Sequence, residues 1–353
     1  MKQNVTLVLN DCNREGAPIM SLRLRDCLLK RGRRVKVIAF TEGPLVRNVD
    51  AVISNPREAA KQCSDWDSDA VLLCTLLTMQ HVQIFQSICE DAQIVGVCHE
   101  MYSDLFSWFD KAHFEAFDSL IFVSHSSKLS FEPISCDEGT VFVAPNWLDQ
   151  NTIERIENIP DISIDLYNKI DVGAADKLLV IASSVVEHKG IEPFMSKVFA
   201  PVKSELKNLK IAILGEVYCP ELRDRILTLC PDVFFAGSVP QNDFFNLLRL
   251  ADVFVHCSES ESFCLAIHEA MHAKIPILAC RSGGAEEQLV HARDGYLFDF
   301  GDHVNARKYL KTLLREVDLA NQFAVSAHQV AKSKFGETPS MQTYLEAIFP
   351  RER

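Results

Sequence analysis

The sequence predicts an α/β protein built from two doubly wound domains. Three observations carry this. Short apolar runs alternate with amphipathic helical stretches. The alternation occurs twice, separated by a polar stretch near 149–176. The length of 353 residues suits two cores better than one.

In the first half, residues 5–10 (VTLVLN) form a buried-type strand, and a polar loop leads to a helix over 18–30. In that helix Ile19, Leu22, Leu24, Leu28 and Leu29 recur near helical spacing. Further strands are expected at 35–40, 51–53, 70–74, 94–98, 120–123 and 141–144, with helical segments between most of them. The second series places strands at 178–182, 211–214, 233–235, 253–256 and 275–280. Helical patterns cover 263–273, 304–334 and 339–349. The expected division is a first domain over 1–155, a linker over 156–175, a second domain over 176–335, and a last segment, 336–353, returning to the first domain.

A net charge of −12 argues against nucleic acid as a partner, whose electrostatic footprint is basic. The same charge leaves at most peripheral membrane contact. One local basic group (Arg23, Arg25, Lys30, Arg31, Arg33, Arg34, Lys36) reads as a solvated helix face and turn. Twelve cysteines lie at irregular spacing without a C-x-x-C pair, and Cys74, Cys98, Cys257 and Cys280 sit in apolar runs. Free thiols there behave as small hydrophobes, and no zinc pattern appears. No run is long enough to span a bilayer, so the expected setting is cytoplasmic.

The chemistry concentrates between Ser258 and Gly295, which reads loop, helix, strand, Gly turn, helix. Strand ends and helix starts are where α/β sheets bind ligands, and a helix start offers free N–H groups to phosphate. Glu261 precedes the helix. Glu269 lies inside it among Leu265, Ala266, Ala270 and Met271, where a charge needs a reason.

Ser258-x-x-Glu261-x-Phe263-x-Leu265, Glu269-Ala270-Met271, Pro276, Gly283-Gly284-x-x-Glu287 and Asp294-Gly295 form an ordered series. It resembles the C-terminal signature of the retaining family 4 glycosyltransferases, including their E-x7-E element. The resemblance implies the GT-B fold, two Rossmann-like domains facing a cleft. It also implies a nucleoside-diphosphate sugar as donor, a glycan or small hydroxyl compound as acceptor, and neither cofactor nor metal.

Carried over residue by residue, the resemblance gives Glu269 the ribose and Glu261 the sugar hydroxyls. Phe263, Cys264 and Leu265 would offer N–H groups to the diphosphate, and Lys189, before Gly190, would pair with it. Gly215 ends a strand near the nucleotide, and Val239 lies in the loop beside the base. Gly16, in Gly16-Ala17-Pro18, matches the family's first loop, though an ordinary helix entry explains it equally. His99, at a strand end, is the family's histidine near the transferred sugar, and His99, Glu261 and Lys189 form the expected catalytic set. Asn146, in Pro145-Asn146-Trp147-Leu148-Asp149, is expected to set turn geometry.

The sequence departs from the family at Ser183-Ser184, where Gly-Arg is common, which removes a cation from the diphosphate site. It departs again at Ser262 and Cys264, where glycines are common, and at Trp147. Asp65-Trp66-Asp67 and Asp67-Ser68-Asp69 spell D-x-D but precede a strand in the first half, and read as loop acids. Two other readings stay open: a nucleotide-sugar epimerase on the same fold, and a non-catalytic nucleotide-sugar binder.

Overall fold

The computed structural model describes residues 3–104, 109–132, 140–158, 170 and 172–350. The chain divides into two compact units, 1–147 with 337–353, and 148–336.

The first unit carries a seven-stranded sheet ordered β3-β2-β1-β4-β5-β6-β7. The strands are β1 (Asn4–Leu9), β2 (Arg34–Ala39), β3 (Ala51–Val52), β4 (Ala70–Cys74), β5 (Gln93–Cys98), β6 (Ser119–Phe122) and β7 (Val141–Val143). Every pairing is parallel, with β1 between β2 and β4. The inner strands β1 and β4 are buried along their whole length, which is why they read as unbroken apolar runs. The order reverses between β1 and β4, so their C-terminal ends flank a switch point.

The Gly16–Lys30 helix starts two residues earlier than the sequence suggests, leaving Pro18 within its first turn, where proline is tolerated. The last helix, Glu337–Ile348, packs on β5, β6 and β7. Tyr344 meets the buried Trp147 edge-on, and the Ser340 hydroxyl donates to the Pro145 carbonyl at 2.7 Å. The basic group near the N-terminus is mostly tied down here. Arg23 is buried and donates to the Trp147 carbonyl, Arg31 pairs with Glu337, and Arg33 lies over Phe349. The loop acids also have structural work: the Asp69 carboxylate accepts the Asn4 N–H at 2.7 Å at the start of β4.

The second unit carries β8 (Lys177–Ala182), β9 (Leu209–Leu214), β10 (Phe234–Gly237), β11 (Val253–His256), β12 (Ile277–Cys280) and β13 (Tyr296–Phe298), ordered β10-β9-β8-β11-β12-β13 and again all parallel. Its switch point lies between β8 and β11. β13 is too short to stand out in the sequence. Strand β10 lies one to two residues later than expected, and β12 starts after Pro276, whose carbonyl accepts the Phe254 N–H. The expected helix over 304–334 is two helices, His303–Arg315 and Val317–Lys334, separated at Glu316.

The boundary between units falls at Trp147/Leu148 rather than at 155. Leu148 and Ile156 are buried among Leu178, Phe254 and Met271, so the Gln150–Glu157 helix joins the second core. Asp149 caps that helix through the Thr152 N–H and hydroxyl. Most of the expected linker, 159–169 and 171, lies outside the described residues.

Candidate functional site

The site is built where β8 and β11 end. After β8 the chain runs through Ser183 and Ser184 into a short turn, Glu187–Lys189, closed by Gly190 in the left-handed region at φ +67°. A Cβ on Gly190 would stand 2.3 Å from the Cys257 carbonyl oxygen. The glycine therefore lets this turn lie against the loop after β11 and places Lys189 above it. Lys189 Nζ is 2.8 Å from Glu261 Oε1. Two residues 72 positions apart thus form one ion pair, with side chains 22% and 18% exposed.

The loop from Cys257 to Cys264 is held from below. Ser258 is buried, and its hydroxyl donates to the Ser260 carbonyl at 2.9 Å. His256, the last residue of β11, is 3% exposed. Its Nδ1 is 3.6 Å from Cys264 Sγ and its Nε2 is 3.4 Å from Ser282 Oγ. Burial pushes the His256 pKa down to about 4, so the ring is neutral at pH 7. Burial also opposes ionisation of Glu261, yet Lys189, His256 and Ser258 together hold its carboxyl below the usual range.

The helix start differs from the sequence expectation. The helix is Leu265–His272, two residues shorter at its front, with Cys264 at the N-cap and φ +67°. Phe263 lies outside the helix with its ring buried against Phe335 and His268. Its carbonyl is taken by the Gln288 side-chain amide, which also reaches the Cys264 carbonyl. Gly284 explains this geometry: a Cβ there would lie 2.6 Å from the Phe263 carbonyl carbon, Cα and oxygen. The Gly284 N–H also donates to the Glu261 carbonyl at 2.8 Å. Glycine at 284 lets the Gly283–Gln288 helix seat directly on the loop bearing Glu261.

The first turn of Leu265–His272 leaves N–H groups without intrahelical partners. The Ile267 N–H faces the Cys264 sulfur, while burial and Glu261 raise that thiol's pKa, so Cys264 is no reactive thiolate. Leu265 is half-buried, and Glu269, one turn further on, is 8% exposed.

Gly215 closes the site on the β9 side. A Cβ there would meet the Ser183 carbonyl oxygen at 2.2 Å and the Ser184 N at 2.9 Å. The glycine therefore lets the end of β9 lie against the Ser183-Ser184 backbone. Val239 follows β10 and packs with the second core.

Gly16 and His99 belong to the first unit. Gly16 is the exposed first residue of its helix. The preceding loop is fixed by Gly43, where a Cβ would stand 2.5 Å from the Cys12 carbonyl carbon. His99 follows β5 and is half-buried, and burial lowers its pKa to about 4. The neighbouring Glu100 carboxylate accepts the N–H groups of His99 at 2.9 Å and Leu76 at 3.2 Å, bracing the loops after β4 and β5.

Residues 167–330 match the sequence model of the glycosyl transferases group 1. The second unit belongs to that family. This glycosyl transferase unit contains every residue of the Lys189–Glu261 site. Over 67% of its length the chain is 25% identical to the N-acetyl-alpha-D-glucosaminyl L-malate synthase of Bacillus anthracis, and the match spans 60% of that protein. The fold is that of solved GT-B glycosyltransferases. A glycosyltransferase from Rickettsia africae superposes with a TM-score of 0.81 at 16% identity, covering 98% of both chains. The Anabaena protein HepE, solved in complex with UDP-glucose, superposes with 0.80 at 18% identity, covering 97% of this chain and 98% of its own.

The sequence reading missed His256, Ser282, Gln288 and Glu100. His256 had one visible signal, a histidine closing an otherwise apolar strand beside the switch point. The supporting contacts of the other three join segments distant in sequence. Among the described residues no helix is long and apolar enough to cross a membrane.

Proposed function

We propose that this protein is a retaining glycosyltransferase that moves a hexosyl unit from a nucleoside-diphosphate sugar to a hydroxyl of a glycan, a lipid-linked glycan or a small acceptor. The observation that carries the reading is the Lys189–Glu261 pair, set at a topological switch point beside a helix start. A diphosphate there meets one ammonium and the free N–H groups of Leu265 and Ala266.

In this reading the donor separates the pair. The diphosphate takes Lys189 Nζ, and Glu261, ionised and freed, accepts from the sugar hydroxyls. Glu269 binds the ribose, Gly215, Ser184 and Val239 border the nucleotide, and His99 is the sugar-contacting residue of the first unit. The bond from the anomeric carbon to the diphosphate breaks as the acceptor oxygen bonds to that carbon on the same face. The acceptor proton passes to a diphosphate oxygen. Lys189 and the helix N–H groups stabilise the charge that grows on the leaving group, so no metal enters this step. The relative crystallised with UDP-glucose supports a uridine donor as the first to test.

The test is a thermal-shift panel of UDP, GDP, ADP and their sugars, followed by product analysis with and without acceptor. One nucleotide raising the melting temperature, and transfer abolished in Glu269→Ala and Lys189→Ala, is the expected result. An epimer formed from donor alone, or full activity in both variants, overturns the assignment.

A further inference from the structure

A second cluster of ligating groups lies at the far end of the helix that bears Glu269. Glu157 ends the Gln150–Glu157 helix, His272 ends Leu265–His272, and His328 lies within Val317–Lys334. One ligand atom from each lies within 4.8 Å of the other two. His328 Nε2 is 3.6 Å from Glu157 Oε1, and the two imidazole rings stand 5.7 Å apart, nearly perpendicular. His272 is 2% exposed and its Nδ1 is a buried polar atom with no hydrogen-bond partner. A buried, unpartnered ring nitrogen on a histidine packed beside a second imidazole is costly unless something binds there.

We propose that Glu157, His272 and His328 form a zinc-type cation site that clamps three helices of the second unit. Two imidazoles and one carboxylate suit a borderline cation, whereas magnesium and calcium prefer oxygen ligands throughout. Tetrahedral zinc with bonds near 2.0–2.2 Å separates its ligands by roughly 3.3–3.6 Å. The Glu157–His328 separation already matches, and the third ligand closes by about 1 Å through side-chain rotation. Water completes the fourth position. His328 Nδ1 is likewise a buried polar atom with no hydrogen-bond partner.

Lys332 competes with the cation. Its Nζ is 3.4 Å from Glu157 Oε1, but its side chain is 55% exposed and free to swing into water. Lys274 adds to the positive field around His328. The cluster is distinct from the Lys189–Glu261 site, because the Leu265–His272 helix separates its two ends by about 10 Å at 1.5 Å per residue.

The experiment uses the whole chain, stripped with chelator and then titrated with zinc chloride, with magnesium chloride as control. One equivalent of zinc binds, and a hundredfold excess over Kd raises the melting temperature by about 5 °C, while magnesium does nothing. Cobalt(II) in place of zinc gives the visible bands of a tetrahedral ion. Glu157→Gln and His328→Gln each abolish the zinc shift with far-UV circular dichroism unchanged, and Lys332→Met tightens zinc binding. An absent zinc shift in the wild type, or a shift retained in either ligand variant, overturns the proposal and leaves the cluster as a Glu157–His328–Lys332 ion-pair network. Nucleotide binding is measured in parallel and does not depend on the outcome.

Discussion

Replacing Lys189 by alanine tests the central reading most directly. In the structure its ammonium is 2.8 Å from Glu261, and both side chains are less than a quarter exposed. A diphosphate taking that position has a unit charge about 4 Å from the ammonium. At an effective dielectric near 20 each such interaction is worth roughly 4 kcal/mol. Water refilling the gap returns part of it, so the expected loss in kcat/KM is about 10²–10³, in line with removal of one donor to a growing negative charge. Binding of the bare nucleoside diphosphate, measured by calorimetry, weakens in step. Glu261→Gln gives the opposite result for the bare nucleotide. Lys189 then no longer has the Glu261 ion pair to give up, so UDP binds more tightly, while turnover of the sugar donor falls. A UDP affinity within twofold of wild type in a folded Lys189→Ala protein would refute the displacement argument.

Further outcomes follow from the same geometry. Gly284→Ala drives a Cβ into the Phe263 backbone at 2.6 Å and lowers stability by roughly 1–3 kcal/mol with loss of nucleotide binding. Gly237→Ala, at φ +68° with open space around it, costs about 1–2 kcal/mol and spares the site; both losses are read by urea denaturation, and nucleotide binding separates the two. Ser184→Arg restores a cation near the diphosphate, so nucleotide affinity rises several-fold at low salt and the gain fades as salt is added. His99 and His256 each have a folded pKa of about 4, below the unfolded value near 6.5, so the unfolded chain binds more protons between those pH values. Stability therefore falls as pH drops from about 6.5 to 4, by about 1 kcal/mol per pH unit for each histidine, and His256→Gln flattens the slope in urea titrations.

Most of the scaffold was legible because inner parallel strands are buried on both faces and read as apolar runs; β1, β4 and β8 needed no tertiary information. β13 was not, since three residues carry no period. The boundary was misplaced because the Gln150–Glu157 helix is amphipathic and short, and only its packing shows which core it joins. For the site, Glu261, Glu269 and Lys189 stood out by order and neighbourhood, but their roles had to be taken from resemblance. The pairing of Lys189 with Glu261 depends on Gly190 fitting beneath Cys257, a contact 67 positions away that no local pattern encodes. The delayed helix start rests likewise on Gly284 and Gln288, which lie beyond the intervening strand β12.

The return of Glu337–Ile348 to β5, β6 and β7 has a consequence for the order of assembly. Seen along the chain, the second unit is an insertion of about 190 residues into the first. At 5–20 residues per second the ribosome takes roughly 10–40 s to make that insertion. Throughout that interval the surface later covered by Met341, Tyr344 and Ile348 has no partner within its own unit. The second unit is contiguous, so all of its residues are made before Glu337–Ile348 emerges. The unit synthesised first is the last to be finished, and its exposed sheet face is where a chaperone would have to stand guard.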